Sequence, residues 1–409
     1  MPGKIAVIGT LDTKGSEIRY LIEAIRRQGA EPVVIDCGVM GDPAFPPDVT
    51  AADVAQAGGG DLAQLRERGD RGAAMAVMVE GVAEVMRRLW AQGEVGGAIG
   101  IGGSAGTLLG ASAVAGLPFG VPKLIVSTLA SGDVRPYVGT RDVTMMHSVV
   151  DILGVNRVLR DVLDNAAGAI CGMVRAQAER PAAEDKPLIG ITMFGVTTPC
   201  VMRAREILEE AGYETLVFHA VGTGGQAMEE LVRDGRIAGV LDVTTTELAD
   251  ELVGGVLSAG PDRLTAAGEM GVPQVIAPGA LDMVNFWAMD TVPEQFQSRN
   301  LYKHNENVTL MRTTQQENEK LGAIIGEKLK AAQGPTKVVL PMRGVSALDN
   351  EGQPFDDPEA RRALYDCIKS CVGEDVEVVE LDQHINDPEF AQRLASELMA
   401  MMGAQGNPA

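Results

Sequence analysis

Three short segments in the first half of the chain combine glycine with hydroxyl groups, a composition that suits phosphate binding. They are GTLDTKG at residues 9–15, GGSAGT at 102–107 and STLASG at 127–132. Glycine lets backbone N–H groups approach an anion closely, and Ser or Thr hydroxyls donate to its oxygens. We expect a nucleotide such as ATP to bind at these segments, through Thr10, Asp12, Thr13, Lys14, Gly102, Gly103, Ser104, Gly106, Thr107, Ser127, Ser131 and Gly132.

Two charged residues of the first segment have specific expected roles. Lys14 would neutralise a phosphate, and Asp12 would hold a cation such as Mg²⁺ through water, although an exposed Asp at a helix start looks the same. None of the three segments is a strict signature, since Lys14 precedes Gly15 where a Walker loop needs Gly-Lys. For any single segment, a tight turn that needs glycine only for its backbone is equally common. The prediction therefore depends on the three segments occurring together.

The second half offers titratable groups instead. Cys200 follows Pro199, and at the first turn of a helix the dipole would lower its thiol pKa and make it a nucleophile. The alternative is a small buried cysteine. Glu247 suits acid/base work or an ordinary capped helix start. His304 lies in the polar and basic segment 299–312, which suits a small anionic substrate such as a carboxylate or a phosphorylated acid. The four histidines lack metal-ligand spacing, so we expect no metal site.

Apolar runs and helical patterns alternate in a way that places these segments at strand ends. Residues 4–8 form an apolar run, residues 32–36 form another, and between them one helical face is spaced i, i+3, i+4, i+7 through Ile18, Leu21, Ile22 and Ile25. The same order recurs from residue 188. The pattern predicts an α/β protein with two Rossmann-like domains, whose mostly parallel, doubly wound sheets are related by an internal repeat. Ligands in such folds bind beyond the carboxyl ends of the strands.

A charged, proline-bearing stretch at residues 175–187 indicates a linker. We therefore predict a nucleotide-binding domain at 1–185 and a second domain at 186–409, the candidate substrate domain. The first half is longer between matching strands, and the Pro-, Gly- and Asp-containing stretch at about 39–71 is the expected insertion.

Composition excludes several classes of protein. A hydrophobic content of 45% is too high for a disordered chain. The net charge of −21 argues against general nucleic-acid binding. Residues 95–122 carry no charge, but their many glycines favour strand, loop and helix over a membrane span. Five cysteines without a disulfide framework and an N-terminus without a signal-peptide core predict a cytoplasmic protein.

The glycine segments, together with FGVTTPC at 194–200, HAVGTGG at 219–225 and residues 299–312, resemble a known family. It is the family of the ATP-binding N-terminal domain of tomato mosaic virus resistance proteins, which includes uncharacterised bacterial relatives. The resemblance covers nearly the whole chain. It implies two Rossmann-like subdomains, ATP bound by the matching segments of the first, and a homodimer. It also suggests a separate barrel-fold partner protein, because a barrel domain follows this region in the plant protein.

Two functions stay open at this point. The first is a nucleotide-binding protein whose bound state governs association with a partner. The second is an enzyme that acts on a small carboxylate or phosphorylated acid between the two domains, with Cys200, Glu247 and His304 as nucleophile and acid/base groups.

Overall fold

The computed structural model describes residues 3–180 and 185–404, and residues 181–184 of the predicted linker lie outside the described residues. The chain divides into two compact units, Met1–Ala183 and Glu184–Ala409. Each unit has its own sheet and its own apolar core. They are described separately below as unit 1 and unit 2.

Unit 1 is built on one five-stranded parallel sheet. Its strands are β1 Lys4–Gly9, β2 Pro32–Asp36, β3 Val95–Gly102, β4 Lys123–Ser127 and β5 Thr144–His147. Its helices are α1 Leu11–Arg27, α2 Ala51–Ala57, α3 Leu62–Arg68, α4 Arg71–Ala91, α5 Ser104–Ala115, α6 Arg135–Val138 and α7 Arg157–Ala178. The strand order is β2-β1-β3-β4-β5, and every pairing is parallel.

Unit 2 has a six-stranded parallel sheet and a small antiparallel sheet. Its strands are β6 Leu188–Met193, β7 Glu214–His219, β8 Gly239–Thr244, β9 Gln274–Gly279, β10 Met283–Phe286, β11 Leu301–Lys303, β12 Thr309–Arg312, β13 Thr336–Pro341 and β14 Glu377–Leu381. Its helices are α8 Thr198–Glu210, α9 Thr223–Arg233, α10 Glu247–Val253, α11 Ala266–Glu269, α12 Gln315–Lys330, α13 Pro358–Cys371 and α14 Pro388–Ala404. The orders are β14-β13-β9-β8-β6-β7 and β10-β12-β11.

The two parallel sheets repeat one topology. When only the strands of each parallel sheet are numbered, in chain order, the larger sheet of unit 2 read from β7 begins with the order 2-1-3-4-5, which is also the order of unit 1. This is a common doubly wound arrangement. The prediction of two Rossmann-like α/β domains is therefore confirmed. Between β2 and β3, unit 1 carries α2 and α3 in addition to α4, whereas α9 is the helix between β7 and β8.

The strand order of unit 1 places a crevice between β1 and β3. From β1 the chain moves towards β2, and from β3 it moves towards β4. Right-handed crossovers then place the connecting helices on opposite faces. The core clusters show this division, with Ile18 of α1 packed beside Val7, and Leu109 of α5 packed beside Ile8. The crevice at such a switch point is where doubly wound folds bind ligands.

Glycine residues allow α5 to approach β3 unusually closely. A Cβ atom on Gly100 would lie 2.8 Å from Cα of Gly110, and one on Gly102 would lie 2.7 Å from Cα of Gly106. No side chain fits at these contacts. The uncharged stretch 95–122 thus forms β3, a turn and α5, and no helix within the described ranges is long and apolar enough to span a bilayer.

We predict that Gly102→Ala lowers the free energy of unfolding by about 1–3 kcal/mol, because the added methyl forces β3 and α5 apart. Urea unfolding followed by circular dichroism measures the change. Gly168→Ala is the matched control, since no atom lies within 4 Å of a Cβ at Gly168, which is inside α7. We expect the control not to lower stability, because Ala favours a helix over Gly. Equal effects of the two variants would contradict this packing role.

Candidate functional site

The first turn of α5 presents backbone donors without partners. Gly103 is the N-cap residue and supplies no side-chain cap, and Ser104 is exposed. Among the described residues, nothing accepts a hydrogen bond from the N–H groups of Ser104, Ala105 and Gly106. Unsatisfied donors at the positive end of a helix dipole attract an anion. This turn follows β3, so it borders the crevice between β1 and β3.

The first turn of α1 contributes a cation and hydroxyl groups on the other side of the crevice. Lys14 interrupts the helix with φ −125° and ψ 22° and is half-buried, and its ammonium has no partner in the part of the chain that the structure describes. Oγ1 of Thr10 lies 2.8 Å from Oγ1 of Thr13. The backbone N–H groups of Thr13 and Lys14 donate to the carbonyl of Thr10. The backbone amides of Thr13 and Lys14 are therefore already hydrogen-bonded, whereas the Lys14 ammonium is available to a ligand.

Asp12 is engaged in the protein itself. Its Oδ2 accepts hydrogen bonds from the N–H groups of Met40, at 2.9 Å, and Gly41, at 3.1 Å. Its Oδ1 is buried without a partner among the described residues. Asp12 therefore holds residues 38–41, the segment that follows β2, through one of its oxygens, and the cation contact expected from the sequence stays a prediction.

Thr107 and Ser127 bind each other rather than facing the crevice. Both are fully buried, and their Oγ atoms lie 2.6 Å apart. The Thr107 hydroxyl is also 2.8 Å from the carbonyl of Gly103, and Ser127 accepts the N–H of Leu129 at 2.9 Å. These contacts fix the turn after β3 against the end of β4. The prediction that both hydroxyls donate to phosphate is replaced by a positioning role.

The remaining predicted residues divide by exposure. Gly102 and Gly106 are buried in the contact between β3 and α5. Ser131 and Gly132 are exposed in the loop after β4. The structure thus brings together Thr10, Thr13, Lys14, Gly103 and Ser104 at the ends of the adjacent strands β1 and β3.

Asp36 is a residue of this edge that the sequence analysis missed. It ends β2, is only 2% exposed, and its Oδ1 accepts the N–H groups of Leu11 and Gly38, both at 2.9 Å. Burial raises the pKa of Asp36, and the two amide hydrogen bonds oppose that rise. An acidic residue at the end of the second strand of a βαβ unit was the available signal.

The corresponding edge of unit 2 is filled by its own chain. Thr197 at the start of α8 lies 2.7 Å, Oγ to Oγ, from Thr244 at the end of β8, and both are fully buried. The side chain of Asn386 donates to the carbonyl of Val196 at 3.0 Å and accepts the N–H of Cys200 at 3.4 Å. The first turn of α8, which is the counterpart of α1 in unit 1, therefore has its own partners within unit 2.

Cys200 lies in the core of unit 2. It is fully buried in the same apolar cluster as Leu241 and Val243, and burial raises the pKa of its thiol. The expectation of a lowered pKa and a nucleophilic thiol is wrong, because loss of hydration disfavours the thiolate. Its alternative, a small buried cysteine, describes the residue.

Glu247 belongs to a buried ionic cluster centred on Arg263. Its Oε2 lies 2.7 Å from Nε of Arg263, and its Oε1 accepts the N–H groups of Gly222 and Gly225, at 2.7 and 3.1 Å. Burial raises the pKa of Glu247, and Arg263 opposes the rise. Both carboxylate oxygens are thus occupied, which gives Glu247 a structural place rather than the free carboxylate that acid/base work needs.

Two further carboxylates complete the cluster. Arg263 makes a bidentate pair with Asp242, at 2.5 and 2.7 Å, and lies 3.3 Å from Glu229. Arg263 is 1% exposed. The cluster ties together the end of β8, α9, α10 and the segment before α11.

His304 is exposed in the turn between β11 and β12. The two arginines that made its segment look suited to anions are engaged, because Arg299 pairs with Glu317 at 2.7 Å and Arg312 donates to the carbonyl of Phe355 at 2.8 Å.

Neighbouring side chains of a strand point to opposite faces. Cys200 packs with Leu241 and Val243 on one face of the sheet. Glu247 is joined through Arg263 to Asp242, whose side chain points to the other face. Cys200 and Glu247 therefore lie on opposite faces of the sheet.

Comparisons with known proteins identify relatives of the whole chain. The profile of the uncharacterised protein family UPF0261 N-terminal domain matches residues 3–179, and that of the C-terminal domain matches residues 186–402. A UPF0261 protein of Clostridium tetani is 52% identical and aligns over 98% of this chain and 100% of its own length.

Plant proteins also match. The ToMV susceptible protein tm-1(GCR26) of Solanum lycopersicum is 42% identical over 99% of this chain, which spans 56% of that protein. Among solved structures, a putative UDP-N-acetylglucosamine 2-epimerase from Listeria monocytogenes aligns with 12% identity over 100% of this chain and 99% of its own chain. Its TM-score of 0.25 is too low to carry any inference.

We predict that Arg263→Met lowers the free energy of unfolding by about 3–5 kcal/mol at pH 8, because it leaves three buried carboxylates without their cation. The loss should shrink as the pH falls towards 5. Burial raises the pKa of Glu247 and Arg263 opposes that rise, so without Arg263 protonation of Glu247 favours the folded state as the pH decreases. Urea unfolding across this pH range measures both effects.

Arg233→Met is the matched control, since Arg233 pairs with Glu269 at the surface. Its expected cost is below about 1 kcal/mol and independent of pH in this range. A loss for Arg263→Met as small as that of the control would refute the structural role of the cluster.

Proposed function

The chain belongs to the uncharacterised protein family UPF0261, and from this premise we propose that it binds a nucleotide such as ATP at the carboxyl edge of the unit 1 sheet. The observation that carries the proposal is the uncapped first turn of α5, where the N–H groups of residues 104–106 have no partner within the described residues. This turn lies at the switch point of a 2-1-3-4-5 sheet, the usual ligand position in such folds.

Charge favours a polyphosphate as the ligand. The chain has a net charge of −21, so an anion needs local positive groups to bind. Lys14 and the α5 dipole supply them from separate elements on the two sides of the crevice. A chain of phosphates can contact both at once. The family resemblance narrows the expected ligand to ATP.

A magnesium ion would enter with the nucleotide. Mg²⁺ is commonly held by substrate phosphates together with one or two carboxylates and water. Asp12 already binds residues 38–41. We therefore expect phosphate oxygens to supply most of the ligands of the ion.

The residues expected to form the active site of an enzyme do not lie together. The enzyme alternative required Cys200, Glu247 and His304 to act together, but they occupy a core, a buried ion cluster and an exposed turn. We therefore propose nucleotide binding and assign these residues no catalytic role. The family resemblance also predicts that the chain forms a homodimer and has a separate barrel-fold partner protein.

We predict saturable ATP binding to the wild-type protein by isothermal titration calorimetry, with affinity reduced roughly 10- to 100-fold in Lys14→Ala and in Gly103→Asp. Asp is a favourable N-cap residue, so Gly103→Asp should keep the fold while its carboxylate occupies the α5 amides and repels phosphate. Lys4→Ala is the matched control, because Lys4 is exposed at the opposite end of β1.

Absence of saturable ATP binding to the wild-type protein would refute the proposal. Unchanged affinity in Gly103→Asp would refute the placement of the phosphates at α5. The control should bind ATP as the wild type does.

A further inference from the structure

Asp36 is a deeply buried residue at the edge of the unit 1 sheet, and one of its carboxylate oxygens has no donor among the described residues. Asp36 is 2% exposed, and its Oδ1 accepts both amide hydrogen bonds, from Leu11 and Gly38. Nothing in the described ranges donates to its Oδ2. Since Oδ1 alone caps the start of α1, capping does not account for the second oxygen. On a residue this deeply buried, a carboxylate oxygen without a protein donor is a candidate acceptor for a donor group of a ligand.

The position of Asp36 fits one part of a nucleotide. Asp36 pairs with Gly9 in the β1–β2 register and binds the first amide of α1, so its carboxylate lies beside the loop between β1 and α1. β2, β1 and β3 are neighbours in the sheet. With adjacent strands about 4.8 Å apart, the ends of β2 and β3 are roughly 10 Å apart. This matches the span from the ribose to the terminal phosphates of an extended nucleoside triphosphate.

The charges along this edge of the sheet determine which end of a bound nucleotide faces Asp36. Two carboxylates, Asp36 and Asp12, flank the end of β2, and Arg66 is the cation facing them. Phosphates are repelled from this end and attracted to Lys14 and α5. Neutral hydroxyl groups are suitable donors for a carboxylate.

The wall around Asp36 is held in place before any ligand binds. Residues 38–41 are fixed by Asp12 from α1 and by Arg66 from α3, whose Nε donates to the carbonyl of Val39 at 3.1 Å and whose Nη2 donates to that of Gly41 at 2.5 Å. Gly38 approaches closely enough that a Cβ there would lie 2.7 Å from Cγ of Asp12. Preorganised groups lose little freedom on binding.

We propose that Oδ2 of Asp36 accepts a hydrogen bond from a ribose hydroxyl of the nucleotide, so that the site discriminates against nucleotides that lack this hydroxyl. The inference rests on the proposed nucleotide binding, and it adds the orientation and the sugar of the ligand. An acidic residue after the second strand plays this part in dinucleotide-binding folds generally.

The test compares ATP, 2′-deoxyATP and 3′-deoxyATP by calorimetric titration of the wild-type protein and of Asp36→Asn. We expect the analogue that lacks the contacted hydroxyl to bind the wild type roughly 10- to 100-fold more weakly than ATP. In Asp36→Asn the ratio of the affinity for ATP to the affinity for that analogue should fall towards one. The amide oxygen is needed by Leu11 and Gly38, which leaves the NH₂ group facing the ribose, where it cannot accept.

Asp48→Asn is the matched control, because Oδ2 of Asp48 accepts the N–H of Val34 at 2.7 Å within the same unit. It should keep the wild-type ratio. Equal affinity of the wild type for all three nucleotides, or an unchanged ratio in Asp36→Asn, would overturn the inference and leave nucleotide binding intact. No binding of any of them would instead overturn the proposed function. If Asp36→Asn does not fold, the wild-type ratios alone decide.

Discussion

Contact between glycines of β3 and α5 is the constraint on which the candidate site depends. Gly100 meets Gly110 and Gly102 meets Gly106, so the helix lies closer to the strand than any side chain would permit. The buried Thr107–Ser127 hydroxyl pair then fixes the same turn to the end of β4. With α5 held there, its first three amides have no partner among the described residues, and the proposed anion site depends on that placement.

The two units show how one topology supports different outcomes at equivalent positions. Both sheets use the order 2-1-3-4-5, and in both a helix starts directly beyond the switch point. In unit 2, Asn386 binds the start of α8, the counterpart of α1, and the Thr197–Thr244 pair joins the ends of β6 and β8. The counterpart of α5 is α10, whose Glu247 belongs to the buried cluster around Arg263. The start of α5 has no such partners among the described residues, which is why we propose the nucleotide site in unit 1.

Sequence periodicity was sufficient for the fold class, and glycine position indicated the edge of the sheet at which we propose that a ligand binds. Local patterns report strands, helices and turns, because those depend on neighbours along the chain. They do not report which hydroxyl meets another across the sheet, so Thr107 and Ser127 were assigned to phosphate when they bind each other. Cys200 and Glu247 were misjudged for a similar reason, since burial and the partner Arg263 come from distant segments. Asp36 had a readable signal, the acidic residue that ends the second strand.

Hydrogen exchange measured with and without ATP tests the proposed nucleotide site, because it reports on the backbone amides that would bind the phosphates. We expect saturating ATP to slow exchange in peptides covering residues 102–108 and 10–15 of unit 1. Peptides covering residues 194–200 and 244–250 of unit 2 should exchange at the same rate in both states. Unchanged exchange at residues 102–108, or slowing confined to the strand ends of unit 2, would contradict the assignment of the nucleotide to unit 1.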